Sequence, residues 1–216
     1  MSNIFDIFKK IESEKQSVSA TPITHIIVGL GNMGKEYENT RHNIGFCAID
    51  YVAQRCGANI NKFKFDALVG EATIGGKRVL LIKPQTYMNA SGKAVAPAAS
   101  FYKIPTENII VLSDDINLDV GRIRVRKNGS DGGQKGLRSI INMLTTDNFP
   151  RIRIGVGKKP HPDYDLADWV LGNFSKEDKE VIGELFPTVY EGIEKILAGQ
   201  TDAAIALCNA RNTSKK

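Results

Sequence analysis

Short runs of apolar residues alternate with amphipathic stretches along most of the chain. Three of these runs, IIVGL after His25, VLLI after Arg78 and IIVL after Asn108, contain no polar residue. Uninterrupted apolar runs of this length are typical of strands that helices bury on both faces. Because the intervening stretches have helical spacing, the pattern predicts a single-domain α/β protein, a three-layer α/β/α sandwich.

The central sheet is expected to be mixed and mostly parallel. Two strand-like runs within residues 66–83 are joined by Gly75-Gly76, and a Gly-Gly pair between two such runs is typical of a tight antiparallel hairpin. Further along, apolar residues recur at helical spacing between Val181 and Leu197. This stripe predicts one long helix that covers the sheet.

The two ends of the chain have a different pattern. Residues 1–21 combine lysines with an apolar stripe, as expected for a short amphipathic helix and a polar linker. An extension is favoured over a membrane anchor, because the apolar face spans only about two or three turns. The folded domain is expected to span residues 22–211, and residues 212–216 are expected to form a tail.

Composition is that of an ordinary globular domain. The 216 residues are 42% hydrophobic and 25% charged without a biased tract, which excludes a disordered chain. No apolar run approaches the roughly 20 residues of a membrane helix and no signal peptide is evident, so a cytoplasmic protein is expected. Cys47, Cys56 and Cys208 form neither an even disulfide set nor a CxxC pattern and are interpreted as reduced packing residues.

Polar residues follow three of the apolar runs. Asn32 follows the first, Asn89 the second and Asp114 the third. Parallel strands would bring all three to the carboxyl edge of the sheet, where open α/β sheets bind ligands. Each residue also has an ordinary structural role open to it, as a turn residue or a helix cap. Their shared position favours a functional site.

His42 is the candidate base. It lies at the end of the loop after the first strand, and the other two histidines, His25 and His161, have less suggestive surroundings. Asp114 could accept a hydrogen bond from one ring nitrogen and leave the other free to deprotonate water. No serine lies in a G-x-S-x-G motif, so activated water is favoured over a covalent intermediate. No metal is expected, because HExxH and paired His/Cys spacings are absent from the sequence.

Residues 29–34 also match the G-x-G-x-x-G pattern of dinucleotide-binding proteins, which would suggest a nucleotide-dependent oxidoreductase. In that fold the helix begins within the glycine turn, whereas here residues 35–41 intervene. The acidic residue expected about 20 positions on would be Asp50, inside a helical stretch. The oxidoreductase interpretation is therefore disfavoured, and absence of tight NAD or FAD binding would dispose of it.

Two segments predict a basic surface beside this site. Arg122, Arg124 and Arg126 alternate with apolar residues, and residues 151–156 repeat the pattern. Between them a glycine-rich stretch precedes a helical pattern, where backbone N–H groups and Lys135 could receive a phosphate. Either segment alone would suit a solvated edge strand. Together with a net charge of +5, they favour a polyanion recognised through its phosphates rather than by base stacking.

Four motifs that carry these residues, GLGNMGKEYENTRHNIG, KPQTYMNASGKAV, SDDINLDVGRIRVRKNGSDGG and RIRIGVG, follow one another in the chain. In this order they resemble the bacterial-type peptidyl-tRNA hydrolase family, over about Ile23 to Arg211. The resemblance implies hydrolysis of the ester between a peptide and the 3′ ribose of tRNA, which returns tRNA to translation. It implies no cofactor or metal, and a monomer is expected.

The resemblance also assigns residues. It implies that His42 is the catalytic base, that Asp114 orients it, and that Asn32 and Asn89 position the peptide and the attacked carbonyl. Residues expected to contact the substrate or tRNA are Tyr37, Asn43, Tyr87, Met88, Arg126, Lys135 and Arg153. Of these, Arg126 and Arg153 would clamp a tRNA phosphate.

Two positions depart from the family pattern. Met33 stands where proline is usual, which changes only the stiffness of the turn. Gln134-Lys135 stand where His-Asn is usual, and lysine offers donors and charge but no acceptor. We therefore expect Lys135 to contact the phosphate or ribose of the terminal adenosine and assign it no catalytic role.

A noncatalytic RNA-binding relative of the same fold, such as its splicing-factor branch, is the alternative. RNA binding alone would not require His42 and Asp114 together with both asparagines, Asn32 and Asn89. Their joint presence favours the enzyme.

Overall fold

Residues 21–210, which the computed structural model describes, form a seven-stranded sheet. Its strands are β1 (His25–Gly29), β2 (Lys62–Lys64), β3 (Ala67–Ile74), β4 (Lys77–Pro84), β5 (Ile109–Asp115), β6 (Ile123–Arg126) and β7 (Arg151–Gly155). Their order across the sheet is β2-β3-β4-β1-β5-β7-β6. Strands β4, β1, β5 and β7 run parallel in the middle, and β2, β3 and β6 pair antiparallel towards the two edges. The predicted mixed sheet is confirmed.

Helices cover both faces of this sheet. They are α1 (Ile44–Arg55), α2 (Gly92–Tyr102), α3 (Lys135–Leu144), α4 (Leu166–Leu171), α5 (Lys176–Gly183), α6 (Phe186–Leu197) and α7 (Thr201–Ala210). One core lies between the sheet and α1, α5, α6 and α7, and a second lies between the sheet and α2 and α3. Ile27 belongs to the first core and its neighbours Ile26 and Val28 to the second, because successive strand residues point to opposite faces. The predicted three-layer sandwich is confirmed.

The predicted hairpin joins β3 to β4. Gly75 and Gly76 have φ values of 54° and 75°, and Ile74 pairs with Lys77 across the turn. A two-residue loop in which both residues have positive φ matches the twist of the strands that it connects. Glycine adopts this conformation at little steric cost, so the dipeptide was a reliable predictor.

The single long helix predicted up to Leu197 is wrong. Two helices, α5 and α6, occupy that stretch and are separated by Glu184 and Leu185. Pro187 lies in the first turn of α6, where its missing N–H is tolerated, but it would break the interior of a continuous helix. The apolar stripe still packs as expected, since Val189 and Ile193 are buried.

The predicted amphipathic helix at residues 1–21 and the tail at 212–216 lie outside the described residues, except for residue 21 itself. The predicted domain limits stay a prediction. Within residues 21–210, no helix has both the length and the apolar character needed to cross a membrane.

Two glycines bring α1 unusually close to the sheet. A Cβ atom on Gly45 would lie 2.5 Å from the carbonyl oxygens of Leu30 and Leu112, and one on Gly29 would lie 2.4 Å from the carbonyl oxygen of Gly45. Only glycine permits such an approach of two backbones. The first turn of α1 therefore packs directly against β1 and β5, and this contact fixes the position of the residues that precede the helix.

Gly45→Ala is expected to lower the free energy of unfolding by about 3 kcal/mol, because the added methyl group meets backbone atoms that cannot rotate away. Urea unfolding followed by circular dichroism measures the change. The matched control is Gly183→Ala in α5, where a Cβ would meet nothing within 4 Å. Alanine is the better helix former, so the control should be neutral or up to about 1 kcal/mol more stable. Equal changes in the free energy of unfolding for the two variants would show that the close approach of α1 to the sheet does not cause the loss of stability.

Candidate active site

His42 and Asp114 form a hydrogen-bonded pair at the carboxyl edge of the sheet. Nδ1 of His42 lies 2.9 Å from Oδ2 of Asp114, and the two side chains are 12% and 3% exposed. His42 lies in a 3-10 turn, Arg41–Asn43, that leads into α1, and Asp114 is the penultimate residue of β5. Because an ionised carboxylate only accepts, it holds the ring proton on Nδ1 and leaves the Nε2 lone pair free. This is the arrangement of a general base.

Asn32 is fixed by three hydrogen bonds. Its backbone N–H donates to Oδ1 of Asn43 at 2.8 Å, and its carbonyl accepts from Nδ2 of Asn43 at 2.9 Å. Its own Oδ1 accepts from the backbone N–H of Met88 at 2.8 Å. Since the oxygen is occupied, the Asn32 amide offers a ligand mainly its donor hydrogens. A group of this kind suits a carbonyl oxygen or an oxyanion.

Two predicted substrate contacts are not at the cavity wall. Asn43 is 2% exposed, and both ends of its amide bind the backbone of Asn32. It supports Asn32 from behind, so its predicted place in the pocket is corrected to a supporting one. Tyr37 lies in the 3-10 turn Lys35–Tyr37, and it is likewise absent from the cavity lining.

An open cavity of about 440 Å³ lies in front of His42 and Asp114. Its wall is formed by the end of β5 and the loops after β1 and β4, by the loop of residues 127–133, here called the glycine loop, by the start of α3, and by α4. Among the predicted site residues, the cavity brings together Asn32, His42, Tyr87, Met88, Asn89, Asp114, Lys135 and Arg153. The polar residues that follow parallel strands therefore meet at one edge of the sheet, as their positions in the sequence predict.

Arg153 reaches the cavity but is paired. Its Nε lies 3.2 Å from Oδ2 of Asp115, which is 2% exposed. A Cβ on Gly132 would lie 2.5 Å from the guanidinium, so the glycine loop packs directly over this arginine. Much of its charge is balanced by Asp115 before any ligand arrives.

Gln134 and Lys135 lie at the start of α3, between the glycine loop and the catalytic pair. Nε2 of Gln134 donates to Oδ1 of Asp114 at 3.0 Å, and its Oε1 accepts from the backbone N–H of Leu137 at 2.8 Å. Lys135 is exposed and lines the cavity. The family resemblance implies no role for Gln134. Its position directly before a helical pattern predicts an N-cap, but no local pattern predicts its contact with Asp114.

Helix α4 was also missed, although it contributes Leu166, Val170 and Leu171 to the cavity wall. Asp165 caps it by accepting from the N–H groups of two following residues, and an aspartate before an apolar helical spacing was the available signal. The guanidinium carbon of Arg41 lies 3.7 Å from the centre of the Trp169 ring. The residue before His42 therefore holds the helix that forms the apolar wall.

The basic surface is smaller than predicted. Strands β6 and β7 pair with Arg124 opposite Arg153 and Arg126 opposite Arg151, and Arg126 is exposed as expected. Arg151, however, is 1% exposed, and its guanidinium donates to backbone carbonyls including those of Asp147 and Phe149. Burial lowers the pKa of Arg151 to about 10. It supports the loops around it rather than meeting a polyanion, because β7 lies inside the sheet and not at its edge.

Comparison with known proteins agrees with this geometry. The profile of the family described as peptidyl-tRNA hydrolase matches residues 26–216. A peptidyl-tRNA hydrolase of Thermoanaerobacter sp. (strain X514) is 47% identical over 185 residues, which are 86% of this chain and 99% of that protein. One from Alkaliphilus oremlandii (strain OhILAs) is 54% identical over 172 residues, 79% of this chain and 88% of that protein.

A solved structure has the same fold. The crystal structure of peptidyl-tRNA hydrolase from Acinetobacter baumannii superimposes with a TM-score of 0.83 at 33% sequence identity. The match covers 90% of this chain and 98% of that one. The similarity thus extends over the whole sandwich, including the edge at which the cavity opens.

Proposed function

The chain belongs to the peptidyl-tRNA hydrolase family, and we propose that His42 activates the water that cleaves the ester between the peptide and the 3′ ribose of tRNA. The observation that carries this assignment is the 2.9 Å bond between Nδ1 of His42 and Oδ2 of Asp114, at the floor of an open cavity. Hydrolysis of peptidyl-tRNA is the activity of the family. What we propose here is the role of each residue of this chain in that reaction.

The reaction needs only proton transfers and a water molecule. Nε2 of His42 takes a proton from water as the water oxygen attacks the ester carbonyl, and Asp114 stabilises the imidazolium that forms. The tetrahedral intermediate then collapses, and His42 returns the proton to the departing ribose oxygen. The products are a peptide carboxylic acid, which ionises, and a tRNA with a free 3′ end. No metal is required for any of these steps.

The two asparagines position the substrate. The donor hydrogens of Asn32 face the developing oxyanion, because its oxygen is held by the backbone of Met88. Asn89 lines the same cavity from the turn Met88–Ala90 and offers both a donor and an acceptor to the peptide backbone. Hydrogen bonds that strengthen as charge develops lower the barrier more than uniform binding does.

Cations at the cavity and beyond it suit the tRNA phosphates. We assign this contact to Lys135 and Arg153, which line the cavity, and to Arg126, which is exposed on β6 opposite Arg151 and lies outside the cavity lining. To Lys135 in particular we assign the terminal phosphate or ribose, because it lines the cavity and is exposed. Tyr87, a cavity residue that is 59% exposed, adds a ring surface for the substrate. Tyr37 lies outside the cavity lining, so its predicted contact would be with a more distant part of the tRNA. We also propose that the enzyme is cytoplasmic and acts as a monomer.

Arg126→Ala is expected to raise KM for the tRNA substrate by about three- to tenfold and to leave kcat unchanged, because a phosphate contact contributes to binding and not to bond cleavage. The slope of log affinity against log salt should fall by about one. Steady-state kinetics at several salt concentrations measure both. Arg55→Ala is the matched control, an exposed arginine at the end of α1. Equal changes in the two variants would show a general charge effect instead of a phosphate contact.

The direct test of the function uses the unaltered protein and an N-acetylated aminoacyl-tRNA with EDTA present. The expected result is release of the blocked amino acid, with the unblocked aminoacyl-tRNA left intact. A folded protein that binds tRNA but cleaves neither substrate would instead be the noncatalytic RNA-binding relative. Loss of cleavage in EDTA alone would contradict the metal-free mechanism.

A further inference from the structure

The catalytic pair has a third buried member. Gln134 is 6% exposed, and its Nε2 donates to Oδ1 of Asp114 at 3.0 Å while Oδ2 of the same carboxylate lies 2.9 Å from Nδ1 of His42. Both carboxylate oxygens are therefore engaged, one by the base and one by the glutamine. The three side chains form a continuous hydrogen-bonded chain from the start of α3 to the start of α1.

The orientation of the Gln134 amide follows from its partners. Its Oε1 accepts from the backbone N–H of Leu137 at 2.8 Å and so caps α3. Reversing the amide would place its NH₂ group against that N–H and its oxygen against the Asp114 carboxylate, two repulsive contacts. The Nε2 group also lies 3.1 Å from Sδ of Met88, a weak acceptor. The helix cap thus determines which end of the amide faces Asp114.

We propose that Gln134 is a positioning residue of the hydrolase, which holds the Asp114 carboxylate in the plane that His42 needs. The inference rests on the proposed role of His42 and Asp114. Rotation of an aspartate carboxylate about its last side-chain bond is soft, so one hydrogen bond to His42 does not fix its plane. The Gln134 amide is a second donor, and because it is itself anchored on α3, it fixes the plane of the carboxylate. Because an amide is neutral and does not titrate, it stabilises the carboxylate at every pH without competing for a proton.

Gln134→Ser separates this role from the helix cap. Serine is a favoured N-cap residue, so α3 stays capped, but its hydroxyl is too short to reach Asp114. We expect a cooperative unfolding transition with a somewhat lower midpoint, because the buried Asp114 loses a donor. KM should stay within about twofold of wild type, and kcat should fall by about 10- to 100-fold, as a small misplacement of a catalytic group produces. Gln54→Ser, at an exposed position of α1, is the matched control and should keep wild-type kinetics.

Gln134→Glu provides a second readout that a structural role would not move. The substituted side chain keeps the acceptor for Leu137 but replaces a neutral amide by a carboxylate beside Asp114, so the pair of His42 and Asp114 gains a negative neighbour when both carboxylates are ionised. The added negative charge favours protonated His42, so the acid limb of the kcat/KM profile should move up by about one pH unit or more. The other charged groups that line the cavity, Asp115, Lys135, Arg153 and Asp165, are the same in both enzymes and cannot cause the difference.

The outcomes separate this inference from the function on which it rests. A wild type without hydrolase activity, or a fully active His42→Ala, would overturn the assignment of the base. If His42 is essential while folded Gln134→Ser keeps wild-type kcat, or Gln134→Glu keeps the wild-type pH profile, the positioning role of Gln134 alone is wrong. If Gln134→Ser does not fold, the pH profile of Gln134→Glu decides, because that variant retains the cap.

Discussion

His42→Ala is expected to lower kcat for a blocked aminoacyl-tRNA by about 10³-fold or more, with KM within about threefold of wild type. A general base contributes roughly 10²- to 10⁴-fold to the rate, and His42 is the histidine that lines the cavity within residues 21–210. Binding should survive, because the contacts proposed for the tRNA phosphates lie on other side chains. Single-turnover hydrolysis measures the chemical step, and a filter-binding assay measures tRNA affinity.

Two controls make this result specific. His161→Ala removes an exposed histidine, and His25→Ala removes one at the opposite end of β1. Both variants should keep a wild-type kcat. If His161→Ala were as inactive as His42→Ala, the base would have to be reassigned. Retained far-UV circular dichroism in His42→Ala would exclude unfolding as the cause. We expect it to be retained, because Asp114 keeps its hydrogen bond from Gln134 when His42 is removed.

Local patterns predicted the parts of the fold and site that local chemistry controls. The hairpin followed from Gly75-Gly76, because two positive φ values in succession demand glycine. The meeting of Asn32, Asn89 and Asp114 followed from the rule that ligands bind at the carboxyl ends of parallel strands. This prediction required β4, β1 and β5 to be parallel neighbours, as they are. A different strand order would have separated the three residues, so no one residue could have predicted the site alone.

Long-range packing decided the features that the sequence could not predict. Arg151 has the same alternation as the exposed Arg126, yet it is buried because β7 lies inside the sheet and loops cover its end. Asn43 is adjacent to His42 in sequence but turns away from the cavity to bind Asn32. Neither outcome has a local signal. The break before α6 did have a local signal, Pro187. The apolar stripe continues across it and by itself predicts an uninterrupted helix.

Asp114→Asn is expected to lower kcat by about 10²- to 10³-fold although the side chain keeps its size. Gln134 is fixed by the α3 cap and must donate to residue 114, so it takes the single amide oxygen. The NH₂ group then faces Nδ1 of His42, which has to accept. This places the ring proton on Nε2, and a histidine in that tautomer cannot take a proton from water. Kinetics in parallel with thermal unfolding separate this loss from any loss of stability.

The double variant Asp114→Asn/Gln134→Glu tests that explanation. A glutamate at position 134 can only accept, so it takes the asparagine NH₂ and turns the amide oxygen towards His42. The ring proton returns to Nδ1, Nε2 is free again, and the pair regains one negative charge. We expect kcat at least about tenfold above that of Asp114→Asn, although Gln134→Glu in the wild type lowers kcat/KM on the acid side of the pH profile. A substitution at position 134 that lowers activity when residue 114 is aspartate and raises it when residue 114 is asparagine shows that the two side chains interact directly. A double variant no faster than Asp114→Asn would instead mean that the carboxylate at position 114 itself, and not the tautomer that it imposes, drives the reaction.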